Sequence, residues 1–408
     1  PSGAIGWNIG NENFLKDNKT ISNLKLRASY GATGNPSIGA YSTLSRFSEI
    51  YYVSGDVITN AVQLTSLDNP NLKWETSYQQ DYGIDLGLFD NRISITADYY
   101  KTITKDLLFN RPLPGISGIA SQLQNVGELE NKGWELGINT RNFIGADFTW
   151  STNFNISSNK NKVLKLADNK DLLINSAPGH FLATESQILR VGQPVGSFFG
   201  FIYDGVIQQG ETVLPGNFET APGGEKFRDV NGDGIITDAD RTFQGVTIPK
   251  YGFGLNFSAS YSNFDFSMFW QGAGGNKVFN AMYRNLMIGQ YTNHHADELN
   301  YWTPTNTNTN IPAPVIGDPN GNARDSNRFI ESGDFVKLQT MEIGYNIPIK
   351  DKFIEKAKVY LNGQNLLIIS KYKGYDPDFN SDGLLSRGYD AGSFPNPRTI
   401  SLGVEVSF

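Results

Sequence analysis

The feature that most constrains this chain is a period-two alternation of apolar and polar residues. It recurs in segments of about ten residues separated by clusters of Asn, Asp, Gly and Pro. Successive side chains of a strand point to opposite faces, so each segment has one greasy face and one wet face. In RISITADYY, Ile93, Ile95, Ala97 and Tyr99 share one face, and Ser94, Thr96 and Asp98 share the other. FTWSTNFNI sets Phe148, Trp150, Phe154 and Ile156 against Thr149, Ser151, Asn153 and Asn155. A hairpin is predicted next. Tyr251, Phe253, Leu255, Phe257, Ala259 and Tyr261 form an apolar face, and a turn falls near Ser262 and Asn263. Phe264, Phe266, Met268 and Trp270 continue that face on the return strand, with Asp265 and Gln271 facing the other way.

A soluble β-sandwich alternates as well. Two features favour a membrane. Aromatic side chains such as Trp74, Tyr78 and Tyr82 crowd one face near strand ends, as in the interfacial girdles of membrane barrels. Many segments also reach the roughly 9–11 residues that a tilted strand needs to cross a bilayer. Composition agrees: aromatic residues make up 12% and there are 43 Gly but only 4 Met, a mixture suited to many strands joined by tight turns. Mean hydropathy is -0.35, and no apolar run approaches the roughly 18 residues of a spanning helix.

The net charge of -7 and pI near 5.2 leave no basic stripe for phosphates, so no nucleic-acid partner is expected. The absence of cysteine removes disulfides and thiolate metal sites and suits an oxidising periplasm. The chain opens at Pro1 without a signal-peptide pattern, so a processed chain or a fragment is expected. Long polar connections at 168–187, 208–247, 272–328 and 372–396 alternate with short turns such as 89–92. Membrane barrels carry short periplasmic turns and long external loops in this way. Roughly 12 to 14 strands are expected, too few for the largest barrels of this type.

Several stretches resemble, in order and spacing, the SusC/RagA family of TonB-dependent outer-membrane transporters. They are LKLRASYGATGN (24–35), NPNLKWETSYQQDYGIDLGLFDNRISITADYYKTITKDLL (69–108) and NVGELENKGWELGI (125–138). FRDVNGDGIITDADRTFQG (227–245), NLLIISKYKGYDPDFN (365–380) and FPNPRTISLGVEVSF (394–408) follow the family's C-terminal half. The resemblance implies an all-β fold, a transmembrane antiparallel β-barrel, with residues 1–408 forming the C-terminal part of a 22-stranded barrel embedded in outer-membrane lipid. It also implies an N-terminal plug and TonB-contacting segment outside this chain, a SusD-like lipoprotein partner, and a glycan or peptide substrate.

The sharpest local motif is DVNGDGIITDAD. Asp229, Asn231, Asp233, the Ile235 carbonyl and Asp240 fall at EF-hand-like spacing, with Gly234 permitting the turn, so a Ca2+ site is expected. Asp240 stands where that motif has a bidentate Glu, and the competing reading is an Asx-turn loop with solvated carboxylates. Tyr283, Tyr291, Tyr301 and Trp302 are candidate ligand-stacking rings, near the amides of 306–310. A lipid belt or lid-contact surface would use the same residues. His180, His294 and His295 lie in predicted loops with no nucleophile pattern beside them, and no phosphate-cradling or H-E-x-x-H motif occurs. No catalytic function is expected. The terminal ISLGVEVSF alternates Ile400, Leu402, Val404, Val406 and Phe408 against polar residues, and Phe408 is the candidate assembly signal. Three functions compete on these residues: an importer, a non-transporting barrel subunit, and a soluble calcium-binding glycan-recognition protein.

Overall fold

The computed structural model describes residues 1–113, 115–119, 121–174, 184–216, 221–288, 293–318, 321–349, 353–379 and 387–408. One antiparallel sheet of eleven strands dominates it. In chain order these are β1 (Ser2–Asn8), β2 (Ile21–Asn35), β3 (Glu75–Leu88), β4 (Ile93–Pro112), β5 (Ser121–Ile144) and β6 (Phe148–Lys165). They continue as β7 (Tyr251–Tyr261), β8 (Phe264–Gly274), β9 (Phe335–Ile347), β10 (Lys356–Ser370) and β11 (Thr399–Ser407). Each pairs with the next, so the sheet is a simple meander. Among the described residues β1 pairs only with β2 and β11 only with β10. The expected 12 to 14 strands are therefore eleven in this wall, because several alternating segments belong to external structure instead.

The register extends each face across the whole wall. Leu26 stands opposite Ile84, Ile84 opposite Ala97, Ala97 opposite Leu136 and Leu136 opposite Ile156. The line runs on from Ile156 to Phe253, and one step along the strands it passes through Leu255, Trp270, Leu338 and Leu367. The other face pairs Asp85 with Thr96, Asn139 with Asn153, Asn153 with Asn256 and Glu342 with Asn362. All seven residues expected on the polar face are there. A soluble sandwich would bury the apolar side against a second sheet. Here Leu26, Ile84, Leu361 and Leu402 stay open, and an uncovered apolar face on a continuous antiparallel sheet is the surface a bilayer covers.

Aromatic rings mark the two ends of that face. Tyr82, Tyr99 and Trp134 sit side by side across β3, β4 and β5, and Phe148, Tyr261, Phe264 and Tyr345 line the opposite end. At the second end the turns are tight. Phe89, Asp90 and Asn91 all take positive φ (52°, 56° and 56°) at the β3–β4 turn, and Ser262 (53°) does so at the β7–β8 turn. The left-handed conformation lets so few residues reverse a twisted pair.

The other end is elaborate. β5 runs for 24 residues, roughly 80 Å at about 3.3 Å per residue, so the wall projects well beyond a hydrocarbon core about 30 Å thick. An exposed ribbon, Arg46–Ser54 paired with Val57–Ser66, follows β2. Residues 166–250 form one continuous excursion that joins the connections expected at 168–187 and 208–247. The segment between them supplies short strands to small sheets. Residues 275–334 and 371–398 make two more excursions, and a helix, α1 (Ala281–Ile288), opens the first of these two. The described residues of these segments pack together. The fully buried Phe198, Phe279 and Phe329 come from them, and Phe279 stacks on Tyr389 at 5.2 Å. A second cluster joins Val163 of β6 to Leu166, Leu189 and Val195.

Candidate functional site

The inner face is a hydrogen-bonded surface. Asn153 Nδ2 donates to Asn139 Oδ1, and the Thr149 and Ser260 hydroxyls lie 2.6 Å apart across the β6–β7 pair. Arg27 of β2 serves two strands at once. Its Nε is 2.8 Å from Asp85 Oδ2 on β3, and its Nη2 is 2.9 Å from Asp98 Oδ1 on β4. The reach across β3 depends on Gly83, where an added Cβ would meet the guanidinium and the Asp98 carboxylate. Lys358 Nζ likewise sits 2.9 Å from Glu342 and 3.8 Å from Asp265, and Asn362 Nδ2 donates to Glu342. Arg27, Asp85, Asp98, Lys358, Glu342 and Asp265 are thus paired across neighbouring strands, which lowers the cost of lining a passage with them.

At the external mouth Lys337 of β9 is 3% exposed. Its Nζ lies 3.2 Å from Asp378 and 3.9 Å from Asp376, and Asn396 Nδ2 donates to Asp376 at 2.9 Å. Segments on both sides of residues 380–386 are therefore held against the inner wall. Sequence reasoning missed Lys337, although a lysine in the polar phase of FVKLQT signals a charge that needs a partner.

The Asp229–Asp240 loop is ordered by its own carboxylates. Gly232 and Gly234 N–H donate to the two Asp229 oxygens at 2.6 and 2.9 Å, and Ile235 N–H donates to Asp233 Oδ1 at 3.0 Å. Asp240 is wholly buried and accepts from Val230 and Thr237 N–H at 2.9 and 2.8 Å. Burial pushes the Asp240 carboxyl up, but the amides of Thr237, Val230 and Asn231 outweigh it and hold it below the ordinary range. Thr237 and Asp240 form a capping box on a single 3-10 turn. Among the described residues no three His, Asp or Glu side chains gather as a closed metal cage. The donor chemistry still fits a hard cation, because a carboxylate oxygen bound by one amide keeps a second lone pair.

The structure separates the candidate aromatic rings. Trp302 is 6% exposed, donates its Nε1–H to Gln208 Oε1 at 2.9 Å, and its ring lies against Gly223. Tyr301 beside it is open to solvent. Tyr283 of α1 donates its hydroxyl to Asp297 Oδ2 at 2.8 Å, with Lys373 Nζ 4.7 Å from its ring centre and His295 edge-on at 5.0 Å. Burial, reinforced by Asp297, raises the Tyr283 hydroxyl above its ordinary value. His294 pairs with Glu298, while His295 accepts the Asp297 N–H and caps a 3-10 turn. Both are thus tied into loop structure. Tyr291 and His180 lie outside the described residues.

An open apolar face, a paired polar face and folded segments at one rim define the wall of a transmembrane β-barrel. The family model described as TonB dependent receptor-like, beta-barrel matches residues 1–366, and the chain belongs to that family. It is 48% identical to "TonB-dependent receptor P3" of Formosa agariphila, over 100% of this chain and 42% of the relative. It is 31% identical to "TonB-dependent receptor SusC" of Bacteroides thetaiotaomicron, again over 100% of this chain and 40% of the relative. A solved structure of the RagAB peptide transporter superposes with a TM-score of 0.84 at 25% identity, covering 100% of this chain and 43% of that one. The chain thus spans about 42% of the length of curated relatives such as the first. Its barrel is of the SusC/RagA type, and it is an outer-membrane protein.

Proposed function

We propose that this wall forms part of an importer that carries oligosaccharides or peptides across the outer membrane. In this reading the folded external segments receive a SusD-like lipoprotein, and energy comes from the TonB complex through a region outside this chain. The observation that carries the reading is the inner face, where Arg27 and Lys358 are neutralised by carboxylates on adjacent strands. A wall whose inner face is polar, with its Arg27 and Lys358 clusters paired and hydrogen-bonded, suits a wetted passage for polar solutes. The test is uptake. Cells lacking the full-length protein are expected to lose accumulation of fluorescently labelled oligosaccharides or peptides, and the wild-type protein should restore it. Unchanged uptake of every labelled pool, with a damaged envelope, would instead make the protein a structural barrel subunit. We also propose that the Asp229–Asp240 loop takes Ca2+ through Asp229, Asn231, Asp233, the Ile235 carbonyl and Asp240, bracing the 166–250 excursion. Tyr283 and Tyr301 remain the rings offered to a solute, because the Trp302 ring is enclosed.

A further inference from the structure

Polar residues line the inner face as far as Asn131 and Asn161, and then the pattern breaks. Leu129 and Val163, paired across β5 and β6 on that same face, are apolar. Behind them lies a cavity of about 340 Å³ at the external rim, bounded on the wall side by Leu107, Phe109 and Leu129 and on the excursion side by Leu172, Leu189 and Val195. Glu75, Glu128 and Lys165 stand at its border. Glu75 is already engaged, accepting from Leu108 N–H at 2.8 Å and from Asn35 Nδ2 at 3.0 Å.

We propose that this cavity is a subsite for an apolar substituent, an acyl or aryl group, carried on the neutral polar solute that the importer admits. The proposal rests on the transport reading and adds to it a chemical demand on the cargo. Size, lining and border agree on such a guest. Apolar cavities stay dry and take hydrocarbon guests, a benzene-sized one needing about 150 Å³, so this space suits a group roughly twice that size. The lining is mostly apolar, from Leu107, Phe109, Leu129, Leu172, Leu189 and Val195, so an apolar guest would remove that surface from water. The border carries both an acid and a base, Glu128 and Lys165, so a hydroxyl can find a donor and an acceptor there, whereas a charged head group meets one repulsive partner.

The probe is 6-bromohexan-1-ol, a neutral alcohol whose bromine scatters anomalously, soaked into crystals of the full-length receptor without its lipoprotein partner. A bromine peak is expected between Leu129 and Val195. It should be lost when the cavity is filled from the wall by Leu129→Trp, or from the excursion by Val195→Trp. Both variants are first checked for a heat-modifiable barrel on gels, and either one that assembles suffices. Uptake of an unsubstituted oligosaccharide carrying only an isotopic label should be the same in the variants as in wild type, which separates failure of this subsite from failure of the transport reading. No bromine in the cavity, or equal bromine after filling, overturns the proposal. So does bromine displaced by the lipoprotein partner, which would assign the cavity to a partner side chain.

Discussion

Glu225 Oε1 lies 2.6 Å from Arg328 Nη1, joining the 166–250 excursion to the 275–334 excursion through a pair that is almost wholly buried. Burial pushes the Glu225 carboxyl up to about 7, against the opposing pull of Arg328. Its ordinary value is 4.5, so between these limits the folded state binds more protons than the unfolded state. The contribution of Glu225 is therefore full below pH 4.5 and is lost as pH rises towards 7. Protection of the external segments from protease is expected to be greater at pH 5 than at pH 8, and Glu225→Gln should flatten that difference. Asp325, also pushed up by burial, carries the same sign and leaves a remainder. Greater protection at pH 8 in wild type would refute the assignment.

Removing the partner tests the same pair from the other side. Arg328→Met leaves a buried carboxylate without its cation, and breaking such a pair costs about 3–5 kcal/mol. The loss should appear as protease cleavage within 201–247 and 321–332, while the heat-modifiable barrel remains. Loss of the barrel itself would show that the excursions and the wall do not fold as separable units.

Calcium should act on one loop. Titrating Ca2+ into the full-length protein is expected to release heat and to slow hydrogen exchange at 229–240, and Asp229→Ala should abolish both. The amide bonds to Asp229 order the loop without a cation, so a mere Asx-turn loop would show no heat and no change in exchange.

On the inner face, Gly83→Ala places a methyl group against Arg27 and Asp98. With these side chains partly open to solvent, the expected loss is about 1 kcal/mol, read from the urea midpoint of the gel-mobility shift. Arg27→Met should cost a similar amount and the double variant little more, because both remove one interaction. Fully additive losses would show that Gly83 does not serve the Arg27 bridge.

Phe408 lies at the tight-turn end, just beyond Ser407, which pairs with Lys356. Its ring is 84% exposed, so it contributes little packing to the wall. Deleting it or replacing it with Asp in the full-length protein should therefore lower assembly severalfold without lowering the melting point of what does assemble. Normal amounts of barrel from both variants would sink its role as a signal.

The wall was legible because a sheet with one face in lipid and one in water writes its geometry into every second residue. Ile93 to Tyr99, Phe148 to Ile156 and the Tyr251–Trp270 hairpin all fall on the faces their alternation assigns. The external packing left no such trace. Phe198, Phe279 and Phe329 meet through segments far apart in sequence, and the short strands that carry Phe198 and Phe279 are four residues long, too brief for a period to show. Trp302 looked like an offered ring because nothing in WTPTNTNTN announces that Gln208 will accept its indole N–H. The single lysine of FVKLQT and the pair Glu225–Arg328 were missed for the same reason: a charge reveals its partner only after the chain has folded.

One consequence of the meander concerns time. Several neighbouring strands of the wall are joined by short turns, but β8 and β9 are separated by residues 275–334, and β6 and β7 by the longest connection, residues 166–250. Closing a flexible loop costs about 0.6 kcal/mol for each doubling of its length, so relative to a two-residue turn this seam carries roughly 3 kcal/mol of extra entropy. The excursion shortens that distance as it folds: Gly192 and Gln193 bind the backbone of Val163, and Asn159 N–H donates to Lys250 O. Residues 166–250 thus bring β7 to β6, and this seam of the wall should zip only after its connecting segment has folded.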